Sequence, residues 1–380
     1  MNIGFDAKRA FHNTTGLGHY SRSLIHSLSV DFPENEYYLF NPKPSKNFKM
    51  EGNNLHEILP TTFLNKLIPS AWRSNWVKND LRKFKIDLYH GLSHEIPFNI
   101  QQTKIKSVVT IHDLIFERYP SQYSKIDVQI YRKKFLYACR NANHIIASSE
   151  QTKNDIVEFY KIEKEKITTC YQSCNPRFEK TCSETEKNTI KKKYDLPDQF
   201  FLSVGSIIER KNLLNVCKAI QLLNTEIPLV VIGDGKEYKQ EVKNYIQKNN
   251  LQKKIVFLAE NIESNSLGYG TAADFPAIYQ LAIALIYPSV FEGFGIPILE
   301  ALWSKLPVIT SNISSLPEVG GDAAIYVNPK NELDIAAGLK KIVEDTTFVN
   351  QLKEKSWMQA QKFSSKNAAA AVMNVYKTVC

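Results

Sequence analysis

Two doubly wound α/β units in tandem, facing across a cleft, are the architecture that this sequence predicts, and three observations predict it. Strand-sized apolar runs alternate with amphipathic helical stretches from one end to the other, the pattern of parallel sheets covered by helices on both faces. The chain has 380 residues, which at roughly 150 per domain favours two domains. A polar, charged stretch bracketed by Pro176 and Pro197 divides it near the middle.

In the first half, apolar and β-branched runs predict strands at Asn2–Phe5, Tyr37–Phe40, Asp87–His90, Ser107–Ile111 and His144–Ala147. Between them Leu17, Tyr20, Leu24, Ile25 and Leu28 recur at helical spacing, as do Ile130, Phe135, Ala138 and Ala142. The stretch Asn175–Pro197 reads as an interdomain connection carrying a short helix. Beyond it, strands are expected near Phe201–Val204, Leu229–Ile232, Ile255–Leu258, Ala284–Tyr287 and Val308–Thr310. Finally Ala368, Val372, Val375 and Val379 share one face of a helix over Lys366–Val379, which must pack on something.

Hydrophobic residues at 43% and charged residues at 23% supply real cores and exclude disordered or collagen-like chains. The most apolar runs, such as Leu281–Tyr287, are strand-sized and too short to cross a membrane. The opening MNIGFDAKRAF reads as a strand and not as a signal peptide, so a cytoplasmic protein is expected. Six cysteines form neither a CxxC pair nor a disulfide framework; Cys170 and Cys174 are the only close pair, and reduced or buried thiols are expected. A net charge of +9 favours anionic partners, whether nucleotide phosphates, acidic lipid or nucleic acid. The basic segment Phe63–Phe84, with Trp72 and Trp76, reads as a core-packing helix with a solvated basic face, or alternatively as an amphipathic contact with an anionic membrane.

There is no GxxxxGK[ST] loop, and the Gly16-Leu17-Gly18 turn lacks the third glycine of a dinucleotide fingerprint. No Asp-x-Asp pair stands ready to tie a divalent metal to a nucleotide diphosphate. The most informative run is YPSVFEGFGIPILEAL, from Tyr287 to Leu302. A strand ends, a glycine-containing turn follows, and Pro297 suits the first turn of a helix whose free N–H groups would cradle an anion. Glu292 lies in that turn and Glu300 on the helix, so the two carboxylates can reach different parts of one ligand. A lone pair of glutamates would read as solvated surface; the surrounding turn favours function. In VGSIIERKN, Arg210 and Lys211 follow a strand at the sheet edge where α/β folds bind ligands, and two cations at a helix start oppose the helix dipole unless an anion is near. His112 ends the strand Ser107–Ile111 at the same kind of edge, as a polar donor or as a hydrogen-bonded core histidine with equal weight. Gly16 and Gly18 open a helix whose amides can also face a ligand.

Together these motifs resemble the retaining GT-B glycosyltransferases of family 4 over nearly the whole chain. FEGFGIPILEAL matches that family's Glu-x7-Glu signature, VGSIIERKN its Arg-Lys element, TGLGHYSRSL its amino-terminal glycine loop and VVTIHDL its cleft histidine. ASSEQTKNDI, VVIGDG and TSNISSLPEVGGDAAIYVNP add support. The resemblance implies that Glu292 binds donor-sugar hydroxyls, with the amides of Gly293, Phe294 and Gly295 near sugar and phosphates. It implies Glu300 on the nucleotide ribose, Arg210 and Lys211 on the diphosphate, His112 near the donor sugar, and Gly16 and Gly18 close to the phosphates. Residues 1–175 would be the acceptor domain and 176–365 the donor domain, with 366–380 returning to the first. Two departures stand out: NIESNSLGYGTAA, between Glu260 and Asp274, is longer than the family's usual loop, and Ala284 replaces a frequent aspartate.

The function so implied is retaining, metal-independent transfer of a sugar from a nucleotide-sugar donor to a glycan or lipid-linked acceptor in bacterial surface polysaccharide synthesis. TGLGHY and TSNISSLPEVGGDAA resemble the mannosyltransferase branch, which makes GDP-mannose the leading donor and a UDP-sugar the alternative. No bound cofactor is expected. A nucleotide-sugar epimerase of the same fold and a non-catalytic nucleotide-binding regulator are the rival readings. Positive charge spread through the chain without a nucleic-acid-binding signature argues against DNA or RNA.

Overall fold

Residues 1–46, 48–260 and 267–380 are described by the computed structural model, and their strands fall into two separate, wholly parallel sheets. The first contains β1 (Asn2–Asp6), β2 (Glu36–Phe40), β3 (Leu55–Ile58), β4 (Leu88–Gly91), β5 (Lys106–Ile111), β6 (His144–Ala147) and β7 (Ile167–Thr169), in the order β3-β2-β1-β4-β5-β6-β7. Gly4 of β1 pairs with Tyr38 of β2 on one side and Tyr89 of β4 on the other. The second contains β8 (Phe201–Val204), β9 (Leu229–Ile232), β10 (Ile255–Phe257), β11 (Ala284–Tyr287), β12 (Val308–Ser311) and β13 (Ala324–Val327), in the order β10-β9-β8-β11-β12-β13. Both are doubly wound: strand order reverses between β1 and β4 and between β8 and β11, the crevices where such sheets bind ligands.

The chain divides into one unit of Met1–Cys174 with Phe363–Cys380 and a second of Asn175–Lys362. Central strands are continuous apolar runs because both faces are covered; all four residues of β9 and of β11 are buried. The stretch expected to be an interdomain connection is instead an integral part of the second unit. Phe178 packs edge-on against Tyr279, Cys182 N donates to Gln280, and Lys193 and Tyr194 both donate to the Asp274 carboxylate. Its helix, Glu184–Lys193, opens with a capping box of Ser183 and Glu186.

The closing helix, Ser365–Val379, packs on the helix Gly16–Asp31 in the first unit. Its buried face is Ala369, Val372, Met373, Val375 and Tyr376, rotated from the expected Ala368–Val379 stripe because Met373 and Tyr376 bring the larger side chains. On the helix Lys125–Asn141, Ile130 points outward and Val128, Phe135, Ala138 and Cys139 form the buried stripe. Phe63–Phe84 is not one helix. Trp72, Val77 and Leu81 are buried around a π-turn at Trp72–Trp76, whereas Phe63, Leu64, Leu67 and Ile68 stand exposed on a short helix and the residue that ends it. Residues 261–266 of the long loop after Glu260 lie outside the described residues. All six cysteines are free, and among the described residues no helix is long and apolar enough to cross a membrane.

Candidate active site

At the reversal point of the second sheet, β8 and β11 deliver their loops side by side. After β8 the chain makes a 3-10 turn, Glu209–Lys211, before the helix Leu213–Leu223. After β11 it runs through residues 288–295 into the helix Ile296–Trp303, with Pro297 in the first turn. The second loop is stapled in place by neutral hydrogen bonds. Asn212 Nδ2 donates to the Pro288 carbonyl, Val290 N to Arg210 O, and Ser311 Oγ to Ser289 O. Ser315 Oγ can donate to the carbonyls of Glu292 and Phe294, both within 3.0 Å, while Ser314 Oγ accepts from Glu292 N. Gly295 carries φ +119°, a left-handed conformation, and a Cβ there would sit 3.1 Å from Leu316; the entry into the helix needs glycine.

This scaffold brings Arg210, Lys211 and Glu292 together. Glu292 is only 7% exposed, yet its carboxylate is paired with Arg210 at 2.8 Å and Lys211 at 2.6 Å. Burial alone would raise its pKa, but Lys211 and Arg210 overcome that penalty and hold it down to about 2. Arg210 also donates to the Phe291 carbonyl, and Tyr287 donates to Glu292 at 3.0 Å while accepting from the Lys211 ammonium. Lys211 lies over the Tyr287 ring, 4.6 Å from its centre. Two cations against one carboxylate leave this cluster a net positive charge beside a helix start. Glu300, four residues into the helix, behaves oppositely. Burial of its carboxyl pushes it up to about 7, resisted by the Tyr279 hydroxyl that donates to it at 2.8 Å.

The remaining candidates lie in the first unit. His112 is 5% exposed; its Nε2 donates to Leu92 O at 2.9 Å and its Nδ1 accepts from Gln172 at 3.2 Å. The carbonyl partner places the proton on Nε2. Burial, together with Arg9 and against the Leu92 bond, lowers its pKa to about 4, so the ring is neutral near pH 7. Ser148 Oγ and Thr152 Oγ1 can donate to its backbone carbonyl. The imidazole is therefore a satisfied core group whose one N–H is already committed. Gly16 has open space where a Cβ would be, while a Cβ on Gly18 would come within 1.9 Å of Asn13 O. Gly18 is thus required for packing the loop before its helix, and Gly16 is not.

Sequence reasoning passed over three groups. Tyr287 read as the end of a strand, Asn212 only as a helix start, and Ser315 had no reading of its own. It also passed over a cavity of about 380 Å³ at the first sheet's reversal point, lined by Lys8, Arg73, Glu95, Phe98, Lys134 and Tyr137 among others. There Arg73 forks onto Asp6, the last residue of β1, and reaches Glu95 at 3.0 Å, while Lys134 also approaches Glu95.

The comparisons agree with this architecture. A model described as "Glycosyl transferases group 1" matches residues 184–357, and one described as "Glycosyltransferase Family 4" matches residues 20–177. The O-antigen chain mannosyltransferase B of Escherichia coli is 27% identical over an alignment of 393 positions, covering 99% of this chain and 100% of that protein. The O-antigen chain mannosyltransferase RfbU of Salmonella typhimurium is 29% identical over 249 residues, 66% of this chain and 63% of its own. A serotype-specific mannosyltransferase, WbdA of Escherichia coli, is 30% identical over 290 residues, 74% of this chain and only 34% of its own length. Among solved structures, a glycosyltransferase from Rickettsia africae superposes with a TM-score of 0.74 at 17% identity, covering 100% of this chain and 98% of that one. The fold and the family matches thus define a GT-B glycosyltransferase. Within that class the chain belongs to family 4, and it is mannosyltransferase-like.

Proposed function

We propose that this glycosyltransferase moves mannose from GDP-mannose to a hydroxyl of a glycan or lipid-linked acceptor, with retention of anomeric configuration and without metal, in bacterial surface polysaccharide synthesis. The observation that carries it is the Glu292–Arg210–Lys211 cluster, with its net positive charge, at a helix start on the sheet's reversal point. The mannose assignment draws its support from the O-antigen mannosyltransferases among the relatives.

In this reading the donor diphosphate lies on Arg210, Lys211 and the amides of Gly293, Phe294 and Gly295. Glu292 accepts hydrogen bonds from the sugar hydroxyls and Glu300 from the ribose. The acceptor oxygen bonds to C1 on the face that the diphosphate leaves; the C1–O bond to phosphate breaks, its electron pair stays on the diphosphate, and the hydroxyl proton passes to that leaving oxygen. Fixed cations stabilise the charge that develops there, in the role a divalent metal would otherwise play. For His112 and the Gly16–Gly18 turn the proposed role is with the donor sugar; for its ring to serve, His112 must release Leu92 or Gln172. The cavity around Arg73 and Glu95 is the acceptor's place in the first unit.

We further propose peripheral contact with anionic membrane on the cytoplasmic side, supported by exposed Phe63, Leu64, Leu67 and Ile68 beside Lys66. Flotation with anionic vesicles should be lost in a Leu64→Ser, Leu67→Ser double variant; equal flotation would end this part. For the donor, titration with nucleotide diphosphates decides: GDP should bind at least tenfold tighter than UDP, and equal affinities would remove the mannose assignment. Transfer should survive EDTA, and the anomeric coupling in the product's NMR spectrum should report the donor's configuration.

A further inference from the structure

At the opposite edge of the second sheet, before β11 and β12 begin, lies another cavity of about 380 Å³ formed wholly by the second unit. Its wall includes Trp303 and Ser304, where the helix Ile296–Trp303 ends, and Trp357 on the helix Thr346–Gln361. The two indoles meet edge to face, 5.3 Å between ring centres, and Trp357 is 42% exposed. The Lys305 ammonium stands 5.5 Å from the centre of that ring, and Lys353 lines the same space.

Two polar groups here have no use in the fold. The indole N–H of Trp303, a residue 5% exposed, and the hydroxyl of Ser304 are buried without a hydrogen-bond partner among the described residues. Native proteins pair such groups, so their coincidence on one cavity wall points to a ligand that supplies the partner. The ligand's chemistry follows from the wall. A helix C-terminus presents carbonyls and not amides, which disfavours phosphate and suits a donor of O–H groups. Indole N–H, serine hydroxyl and lysine ammoniums donate to neutral oxygens, and the indole faces offer flat apolar surface. Many hydroxyls, many acceptor oxygens and an apolar C–H face together describe a hexose ring.

We propose that this cavity binds a hexose oligosaccharide, the part of the glycan chain remote from the reacting end. The inference deepens the proposed function and rests on its reading that the acceptor is a growing glycan. The cavity touches the donor apparatus only through the protein: Tyr279 lines it and donates to Glu300, and Trp303 ends the helix whose start follows Gly295.

The test is saturation-transfer NMR of the full chain with mannotriose, with and without saturating GDP. Wild type should bind in both conditions, Trp357→Ala at least tenfold more weakly, and Trp357→Tyr with near wild-type affinity; circular dichroism melting checks that each variant is folded. No binding by wild type, equal binding by a folded Trp357→Ala, or displacement of the sugar by GDP would overturn the proposal. If Trp357→Ala does not fold, Lys305→Glu, an exposed substitution on the same rim, should weaken binding likewise, and unchanged affinity would overturn it. In transfer assays Trp357→Ala should shorten product chains while leaving the rate onto a single-sugar acceptor unchanged. Absence of transfer by wild type would instead count against the donor reading, leaving the binding result to stand or fall by itself.

Discussion

All eight histidines of the chain lie in the first unit and none in the second. The histidine-bearing core of the first unit and the Glu292 cluster of the second are built from different materials. In the first unit, His90 bridges Tyr376 and Thr110, Tyr20 bonds Thr110, and His112 stacks edge-on against Tyr20 and His94, a neutral and fully buried chain. In the second unit, Arg210 and Lys211 hold Glu292 ionised between them. Neutral hydrogen bonds hold a shape; fixed charges hold a shape and also stabilise charge that appears during a reaction. In the proposed reaction the Glu292 cluster would do the electrostatic work, while the histidine chain only holds its surroundings in place.

Acid should separate the two most strongly. Burial first, then neighbouring histidine or arginine charge, lowers His90 to about 3, His94 well below its usual value, and His112 to about 4. The unfolded chain takes up these protons below about pH 6.5 and the folded unit does not, so stability is lost as pH falls from there toward 4. Each histidine costs up to about 1.4 kcal/mol per pH unit, on the order of 5 kcal/mol in total by pH 5. Hydrogen exchange should show the first unit opening between pH 6 and 5 while the second stays protected; simultaneous opening would erase the contrast. Glu292→Gln comes next, because it removes the buried negative charge between Arg210 and Lys211 and should destabilise the second unit by about 4 kcal/mol, read as a lower melting temperature. Lys211→Ala keeps the Arg210–Glu292 pair and should fold, but raise the transfer barrier by about 3 kcal/mol, a loss in kcat of more than a hundredfold. In the neutral chain, Tyr376→Phe strands His90 Nδ1 and should cost about 2 kcal/mol, visible as faster exchange in the first unit. The smallest effect belongs to Glu300. Its raised pKa means that the carboxylate is gained as pH rises through about 7, so nucleotide affinity should rise about tenfold from pH 6 to 8, and Glu300→Gln should flatten the profile.

The same contrast explains what was legible in the sequence. Central strands such as β9 and β11 announce themselves as unbroken apolar runs. Strands β3, β7 and β13 do not, because LHEI, ITT and AIYV are only three or four residues long and mostly half-buried. Glu292, Arg210 and Lys211 each declared themselves through local context, yet their mutual pairing spans more than 80 residues and leaves no local mark. The buried histidine chain is less visible still. His90 read as the end of a strand, and its partners Tyr376 and Thr110 come from a distant helix and a neighbouring strand. His112 looked equally suited to catalysis or to the core, and only its two hydrogen bonds show that the ring is already occupied.

Because the second unit is inserted between Cys174 and Phe363, the two units cannot mature in the order in which they are written. On a ribosome, residues 175–362 can close their own sheet while the earlier strands still lack the helix that covers Tyr20 and Leu24 and the hydroxyl that satisfies His90. The half of the protein made first is finished last, and a premature stop that removes only the final helix would release a complete carboxy-terminal sheet attached to an open amino-terminal one.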